Sequence, residues 1–318
     1  MLSFFALNYL MNITLHQLKA FQAVAKFQSI TKAAEAMNMT QPAVTIQLKN
    51  LQEKFEVPLT EIIGKQIHIT EFGQELVGTA NRISSELGQI EEKMLELKGL
   101  LGGKIRISAV STGKYIIPYL MADFMKIHPH VEISLDISNR FKVLTHLQEN
   151  ATDLALVSLW PDELDLESIQ LAENKWFLAC SPENKEAYTA YVQAGNWKKV
   201  PFLLREKGSG TRTMMEKFFL DKSIPVGSNL ELATNEAVKQ AVMAGLGASL
   251  LSNFSMAQEL KEGRISLLEL PGLPIKADWN LIWLKQKKHS PAVKAFILWL
   301  SENRKKILSK HFPTLETL

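Results

Sequence analysis

The stretch TQPAVTIQLKNLQ, residues 40–52, decides how the first part of the chain is read. Thr40 stands where a helix N-cap belongs, and Pro42 falls in the first turn, where its missing N–H costs no helical bond. Val44, Leu48 and Leu51, with Phe55 beyond them, gather on one side at about 100° per residue, and Ile46 points away beside Pro42, Lys49 and Asn50. Just before this stretch, SITKAAEAMNM places Thr31 to cap a short helix. Its small Ala33, Ala34 and Ala36 let a neighbouring helix approach closely, and Asn38 and Met39 make the turn. Two helices joined in this way have the spacing of a helix-turn-helix, whose second helix enters a DNA major groove. Yet the stretch carries a single charge, Lys49, whereas phosphate neutralisation dominates DNA affinity. Such a face is suited to specify rather than attract, with Ile46 against a thymine methyl and Gln41, Thr45, Gln47 and Asn50 bonding base edges or phosphates. On these residues alone, an ordinary bundle helix with one exposed isoleucine fits as well.

The flanks extend the pattern. In TLHQLKAFQAVAKFQS, Leu15, Leu18, Phe21, Val24 and Phe27 follow helical spacing, and Thr14 with Gln17 is spaced as a capping box. After VPL, TEIIGKQIHIT gives two short β-rich runs around Gly64-Lys65, the pattern of a hairpin or wing. From 71 to 98, Leu76, Ala80, Ile83, Leu87, Ile90, Met94 and Leu97 stand alternately four and three apart. That 3.5-residue repeat predicts a coiled-coil helix about 40 Å long, and hence a dimer. GLLGG, residues 99–103, reads as a flexible break.

From Lys104 onward, runs such as KIRISAV, VEISLDI, DLALVS, KWFLAC, VPFLL, ASLLS and WNLIWLK alternate with helical stretches. The pattern predicts α/β structure with largely parallel sheets, arranged as two half-domains around a cleft, with chain crossings near 170 and 270. The basic tail 285–310 keeps a core face of Phe296, Trp299, Leu300 and Ile307, so it reads as a solvated amphipathic helix.

The chain has 318 residues, 46% hydrophobic and 22% charged, with a net charge of +3, enough for two or three folded units but too diluted to mark a nucleic-acid binder. The lone Cys180 excludes an intramolecular disulfide and a thiol-pair redox switch, and its apolar surroundings predict an inert buried thiol in a reducing cytoplasm. MLSFFALNYL is apolar but lacks the basic start and cleavage site of an export signal, and reads as an upstream extension or short arm. No stretch reaches the roughly 20 apolar residues of a membrane span.

The segment from Leu15 to Gly73, LHQLKAFQAVAKFQSITKAAEAMNMTQPAVTIQLKNLQEKFEVPLTEIIGKQIHITEFG, resembles the winged helix-turn-helix of LysR-type transcriptional regulators, with that family's S/T-QPA-S/T turn at Thr40 to Thr45. The resemblance continues through the linker helix into the remainder of the chain. It implies a mixed fold of a mainly α winged helix-turn-helix (12–70), a linker and dimerisation helix (71–98), a hinge (99–103) and a periplasmic-binding-protein-like α/β effector domain of two subdomains (104–312). The implied partners are double-stranded DNA as an interrupted palindrome, a small-molecule effector, RNA polymerase, and further copies of the chain as dimer or tetramer. DNA contacts are expected from Thr31, Lys32, Thr40, Gln41, Pro42, Thr45, Ile46, Gln47, Lys49, Asn50 and Lys65. Where the family often has arginine after its QPA turn and LFER before the wing, this chain has Ile46 and LTEI (59–62). Fewer phosphate contacts predict low non-specific affinity and dependence on avidity between subunits.

In such a domain, ligands sit beyond the carboxyl ends of strands, where helix N-termini offer free N–H groups to anions. Ser111, Thr112 and Lys114 follow the first strand, Asn139 and Arg140 the second; Arg205 and Gly208, Ser209, Gly210 and Thr211 precede one helix, and Thr234 and Asn235 open another. These are the candidate effector-binding residues, and an anionic effector is favoured. Their wording is similar to the Calvin-cycle operon branch of the family, which implies phosphorylated sugars, related metabolites or NADPH as effectors, with sulfur- or nitrogen-pathway effectors left open. No cofactor or metal is expected: His128 and His130 read as turn residues. An enzyme is disfavoured because no P-loop, G-x-S-x-G or H-E-x-x-H occurs. The rival reading is a solute-binding module fused to a helical dimerisation domain that does not read DNA.

Overall fold

The computed structural model describes residues 12–64, 66–225 and 228–312. The sequence expectations for the apolar run 1–11 and for Lys65 fall outside them. The chain divides into two compact units, one reaching Glu91 and including Glu149–Ala151, the other formed by Glu92–Gln148 and Thr152 onward.

The first unit begins with α1 (Leu15–Phe27), closed at its start by the reciprocal bonds of Thr14 and Gln17. Helix α2 (Ile30–Ala36) is capped by Ser29, not Thr31; Ser29 Oγ accepts from Lys32 N at 3.4 Å, because Ile30 is already helical and Thr31 lies within the first turn. Asn38 turns the chain with φ of +53°, and Thr40 caps α3 (Gln41–Gln52), with Pro42 in its first turn. Ala33, Ala34 and Val44 pack with Ala20 and Val24, while Leu51, Leu59 and Ala80 pack with Leu18 and Phe21. Strands β1 (Thr60–Ile63) and β2 (Gln66–Ile69) pair antiparallel, and Gly64 supplies the positive φ between them. Helix α4 (Glu71–Glu96) follows, 26 residues long. Its first turns are anchored by Leu76, Val77 and Ala80, whereas Ile83, Leu87, Ile90 and Met94, with Leu97 just beyond at 89% exposure, form an uncovered apolar stripe.

The second unit starts with β3 (Gly102–Val110), which takes in the last two residues of the expected break: Gly102 pairs with His130 and Gly103 with Val131. A Cβ at Gly102 would come 2.4 Å from Leu95 Cδ1, so a side chain there would require Leu95 to shift. A 3₁₀ turn (Ser111–Tyr115) leads to α5 (Ile117–Ile127), β4 (His130–Ser138), α6 (Arg140–Gln148) and β5 (Leu154–Val157). The 15-residue β6 (Leu166–Cys180) then carries the chain into a second lobe built from α7 (Lys185–Gln193), β7 (Phe202–Arg205), α8 (Gly210–Asp221), β8 (Ser228–Leu232), α9 (Asn235–Met243), β9 (Ser249–Ser252), α10 (Asn253–Lys261) and β10 (Ser266–Leu268). Strand β11 (Ile275–Leu284) returns, and α11 (Pro291–His311) closes the first lobe.

Among the described strands, β3–β4, β3–β5 and β7–β8 pair parallel, while β11 pairs antiparallel with β5 and β6, and β6 with β9 and β10. The expectation of largely parallel sheets therefore gives way to mixed ones, because the two crossing strands run against each other. Each crossing strand serves two cores: Leu171 and Trp279 pack with Ile107, Phe124 and Phe296, whereas Trp176 and Ile275 pack with Phe202, Phe219 and Leu250. The tail is amphipathic as expected along α11, but Lys287 in the preceding turn is half-buried, its Nζ 3.0 Å from Asp153 Oδ1 and 2.7 Å from Thr152 O. Cys180 is buried, and burial pushes its thiol up to about 11.

Candidate functional site

In the first unit the candidate face is the side of α3 turned away from the core. Val44 and Leu51 are fully buried, and Ile46 stands 54% exposed on the other side. Around it Thr40, Gln41, Pro42, Thr45 and Lys49 are exposed and Gln47 and Asn50 half-buried, with Thr31 and Lys32 exposed on α2. Thr45 Oγ donates to Gln41 O at 2.9 Å, so toward a groove this hydroxyl offers an acceptor rather than a donor. The wing places Ile62 and Ile63 in solvent.

In the second unit, the ends of several strands meet a helix start. Val110 ends β3 and Ser111 and Thr112 follow it, Asn139 and Arg140 join β4 to α6, Ser158 and Leu159 follow β5, Trp176 comes from β6, and Ser209, Gly210 and Thr211 open α8; together they line one cavity of about 20 Å³. Gly208 makes the turn into α8 at φ of +85°, a conformation that disfavours any side chain. Its carbonyl accepts from Phe141 N at 3.2 Å, joining the α6 start to the α8 turn. Among the described residues, no carboxylate lines the cavity. Two buried donors near it have no partner, Arg140 Nε and Trp176 Nε1.

Seven of the expected effector-binding residues line this cavity: Ser111, Thr112, Asn139, Arg140, Ser209, Gly210 and Thr211. Gly208 shapes its turn, and the other four stand elsewhere. Arg205 is 2% exposed and saturated: Nε and Nη2 bind both oxygens of Glu206 at 2.8 and 2.9 Å, and Nη1 binds Ser111 Oγ at 3.1 Å and Asn235 Oδ1. Asn235 Nδ2 also donates to Ser111 Oγ at 2.9 Å. This pair positions Ser111 from the second lobe, and the Arg205 guanidinium keeps no donor for an anion. Thr234 is spent capping α9 through Ala237 N. Lys114 lies 3.8 Å from Glu236 and against the Tyr115 ring, in a cluster that also holds Lys239. Burial pushes the Glu236 carboxyl up, but hydrogen bonds from Gln240 and Tyr115 and the Lys239 charge outweigh it and hold the carboxyl at about 2.

Sequence reading missed Val110, Ser158, Leu159 and Trp176. Ser158 was findable, since it follows the carboxyl end of a recognisable strand, where ligands sit. Trp176 carried no such signal: KWFLAC reads as core, and its place at a cavity depends on where a 15-residue strand crosses between lobes.

Two family matches cover most of the chain. Residues 15–74 match the bacterial regulatory helix-turn-helix protein, lysR family, and residues 98–305 the LysR substrate binding domain. The chain belongs to the LysR family. This LysR regulator is a DNA-binding transcriptional regulator with an effector-binding domain, and the enzymatic and DNA-blind readings fall away. It is 37% identical over 289 residues to the HTH-type transcriptional activator CmpR of Synechocystis, covering 91% of this chain and 95% of that one. It is 35% identical over 286 residues to a RuBisCO operon transcriptional regulator of Allochromatium vinosum, with 90% and 95% covered. Among solved structures, the regulatory domain of Synechocystis CcmR in complex with 2-PG matches with a TM-score of 0.58 and 31% identity, covering 64% of this chain and 97% of that one. Among the described residues, no helix is long and apolar enough to cross a membrane and no cluster of side chains is suited to a metal ion.

Proposed function

We propose that this LysR regulator reads DNA through the Ile46 face of α3 and senses a compact phosphorylated metabolite in the cavity between β3, β5, α6 and α8. In this reading 12–70 reads DNA, 71–98 joins copies of the chain and the α/β unit takes the effector; the protein works in the cytoplasm with RNA polymerase as partner. The observation that carries the effector reading is Arg140: its Nε is a buried donor without a partner, in a cavity that no carboxylate lines and onto which the N-terminal end of α8 opens. The unpartnered Arg140 Nε and the first N–H groups of α8 donate, which favours a ligand that accepts. The regulatory domain of CcmR with 2-PG, and the relatives named for the RuBisCO operon, support a phosphorylated metabolite of carbon fixation.

About 20 Å³ is the room of one or two water molecules, so the cavity as it stands takes only an oxyanion head. A longer ligand requires the Phe141–Gly208 backbone bond between the lobes to yield. Binding is then coupled to lobe displacement, which gives the effector its means of changing DNA binding. A thermal-shift screen of phosphorylated sugars, nicotinamide cofactors, 2-phosphoglycolate and small unphosphorylated carboxylates tests the reading. Phosphorylated compounds are expected to raise Tm in the full chain and to lose that effect in Arg140→Ala. Stabilisation by unphosphorylated compounds alone, or undiminished in Arg140→Ala, contradicts it.

A further inference from the structure

The effector reading leaves Trp176 unexplained, and it rests on a different part of the cavity. Trp176 is 2% exposed, held in β6 opposite Ser252 of β9 and Ile275 of β11, and packed in the second-lobe core. A side chain fixed on both flanks cannot swing its indole to water, yet Nε1 has no partner. An indole N–H can only donate, and buried donors in folded proteins are nearly always satisfied.

The polar groups around it are already committed, in a way that adds a second donor. Ser252 Oγ donates to Asn174 Oδ1 at 2.6 Å, and Asn174 Nδ2 donates to Ser158 Oγ at 3.0 Å, all buried. Ser158 Oγ accepts in that chain and so keeps its own proton to give, and Ser158 lines the cavity. Trp176 and Ser158 both line the cavity, so its β5–β6 side carries an unpartnered indole N–H and a free hydroxyl proton, while Arg140 and the α8 start bring donors from other elements.

We infer that Trp176 is a specificity-determining residue of the effector site, whose indole N–H, with the Ser158 hydroxyl, takes a second acceptor group of the ligand. Resting on the effector reading above, this narrows the ligand class: a small molecule with two acceptor ends, such as a phosphomonoester that also carries a carboxylate, in preference to a lone oxyanion.

The test uses the full chain, with 2-phosphoglycolate and inorganic phosphate as probes. In calorimetric titration, Trp176→Phe, which keeps an aromatic ring and removes the donor, is expected to weaken 2-phosphoglycolate about 10-fold or more, the scale of a hydrogen bond to a charged group, and to leave phosphate affinity unchanged. A measurement on the unmutated protein does not depend on how the variant folds. The chain has six tryptophans, so its ¹⁵N-labelled indole resonances are few; that of Trp176 is expected to move downfield and gain exchange protection on saturation with 2-phosphoglycolate. If the wild type binds neither probe, the phosphorylated-effector reading fails and takes the inference with it. If the wild type binds 2-phosphoglycolate but the Trp176 resonance stays still, or if Trp176→Phe loses nothing or loses both probes equally, the inference alone is overturned.

Discussion

Asp153 shows what one buried carboxylate is asked to do. Arg106 binds both its oxygens, Nε at 3.1 Å to Oδ2 and Nη2 at 2.8 Å to Oδ1, and Lys287 Nζ lies 3.0 Å from Oδ1. Burial pushes the carboxyl up, but the Arg106 hydrogen bonds and the two positive charges outweigh it and hold it below the ordinary carboxylate range. Asp153→Ala leaves two cations without their anion, and is expected to cost about 3–5 kcal/mol in urea denaturation of the full chain; a loss under about 1 kcal/mol would mean that water replaces the carboxylate. His289 acts in the opposite sense. Both its ring nitrogens are buried without partners, and burial, aided by the Lys287 charge, lowers its pKa from 6.5. The unfolded chain therefore takes up this proton before the folded one does. Stability is complete above pH 6.5 and falls as the pH drops below it, and His289→Phe is expected to flatten that slope. An unchanged slope between pH 6.5 and 5 would remove His289 from the account. Neither residue was marked by the sequence: Asp153 and Lys287 are 134 positions apart, and only the β3–β5–β11 sheet brings them together.

At the scale of elements, α3 was legible because its information is local. Its cap, its proline and its apolar period all lie within 13 residues, and the structure places Val44 and Leu51 inside and Ile46 outside. The two faces are expected to answer to different assays. Leu51→Ala should cost about 2–5 kcal/mol of stability as a core truncation. Ile46→Ala should leave Tm unchanged and relax preference at one A·T pair by about 1 kcal/mol or more, the scale of a lost base contact, in binding titrations over an operator library. A uniform loss over all sequences would show that Ile46 only positions the helix. The start of α2 was misread for an equally local reason, since Ser29 and Thr31 are both competent caps and two residues apart. The repeat in α4 holds two different things: Leu76 and Ala80 belong to the core of their own unit, and only from Ile83 onward is the stripe uncovered. Ile90→Asp is thus expected to shift the chain to monomer in analytical ultracentrifugation without lowering the Tm of the first unit; a variant that stays dimeric would place association elsewhere.

Across the whole molecule, the alternation of strands and helices announced an α/β fold, but not the antiparallel crossing of β6 and β11, which depends on which strands meet after both lobes are built. The same non-local step decided the candidate site. Residues at strand ends and at the start of α8 could be named from the sequence, whereas Arg205 and Asn235, at equally plausible positions, both donate to Ser111, and Arg205 is saturated by Glu206, Ser111 and Asn235. Satisfaction of donors, unlike their presence, is a property of the packed structure. The central claim is that an oxyanion in the Arg140 cavity alters how the α3 face holds DNA. DNase footprinting of the full chain on its upstream region, with and without a phosphorylated ligand that raises Tm, measures this most directly. The account predicts that the protected region changes with ligand in the wild type and not in Arg140→Ala; a footprint identical with and without every stabilising ligand would contradict it.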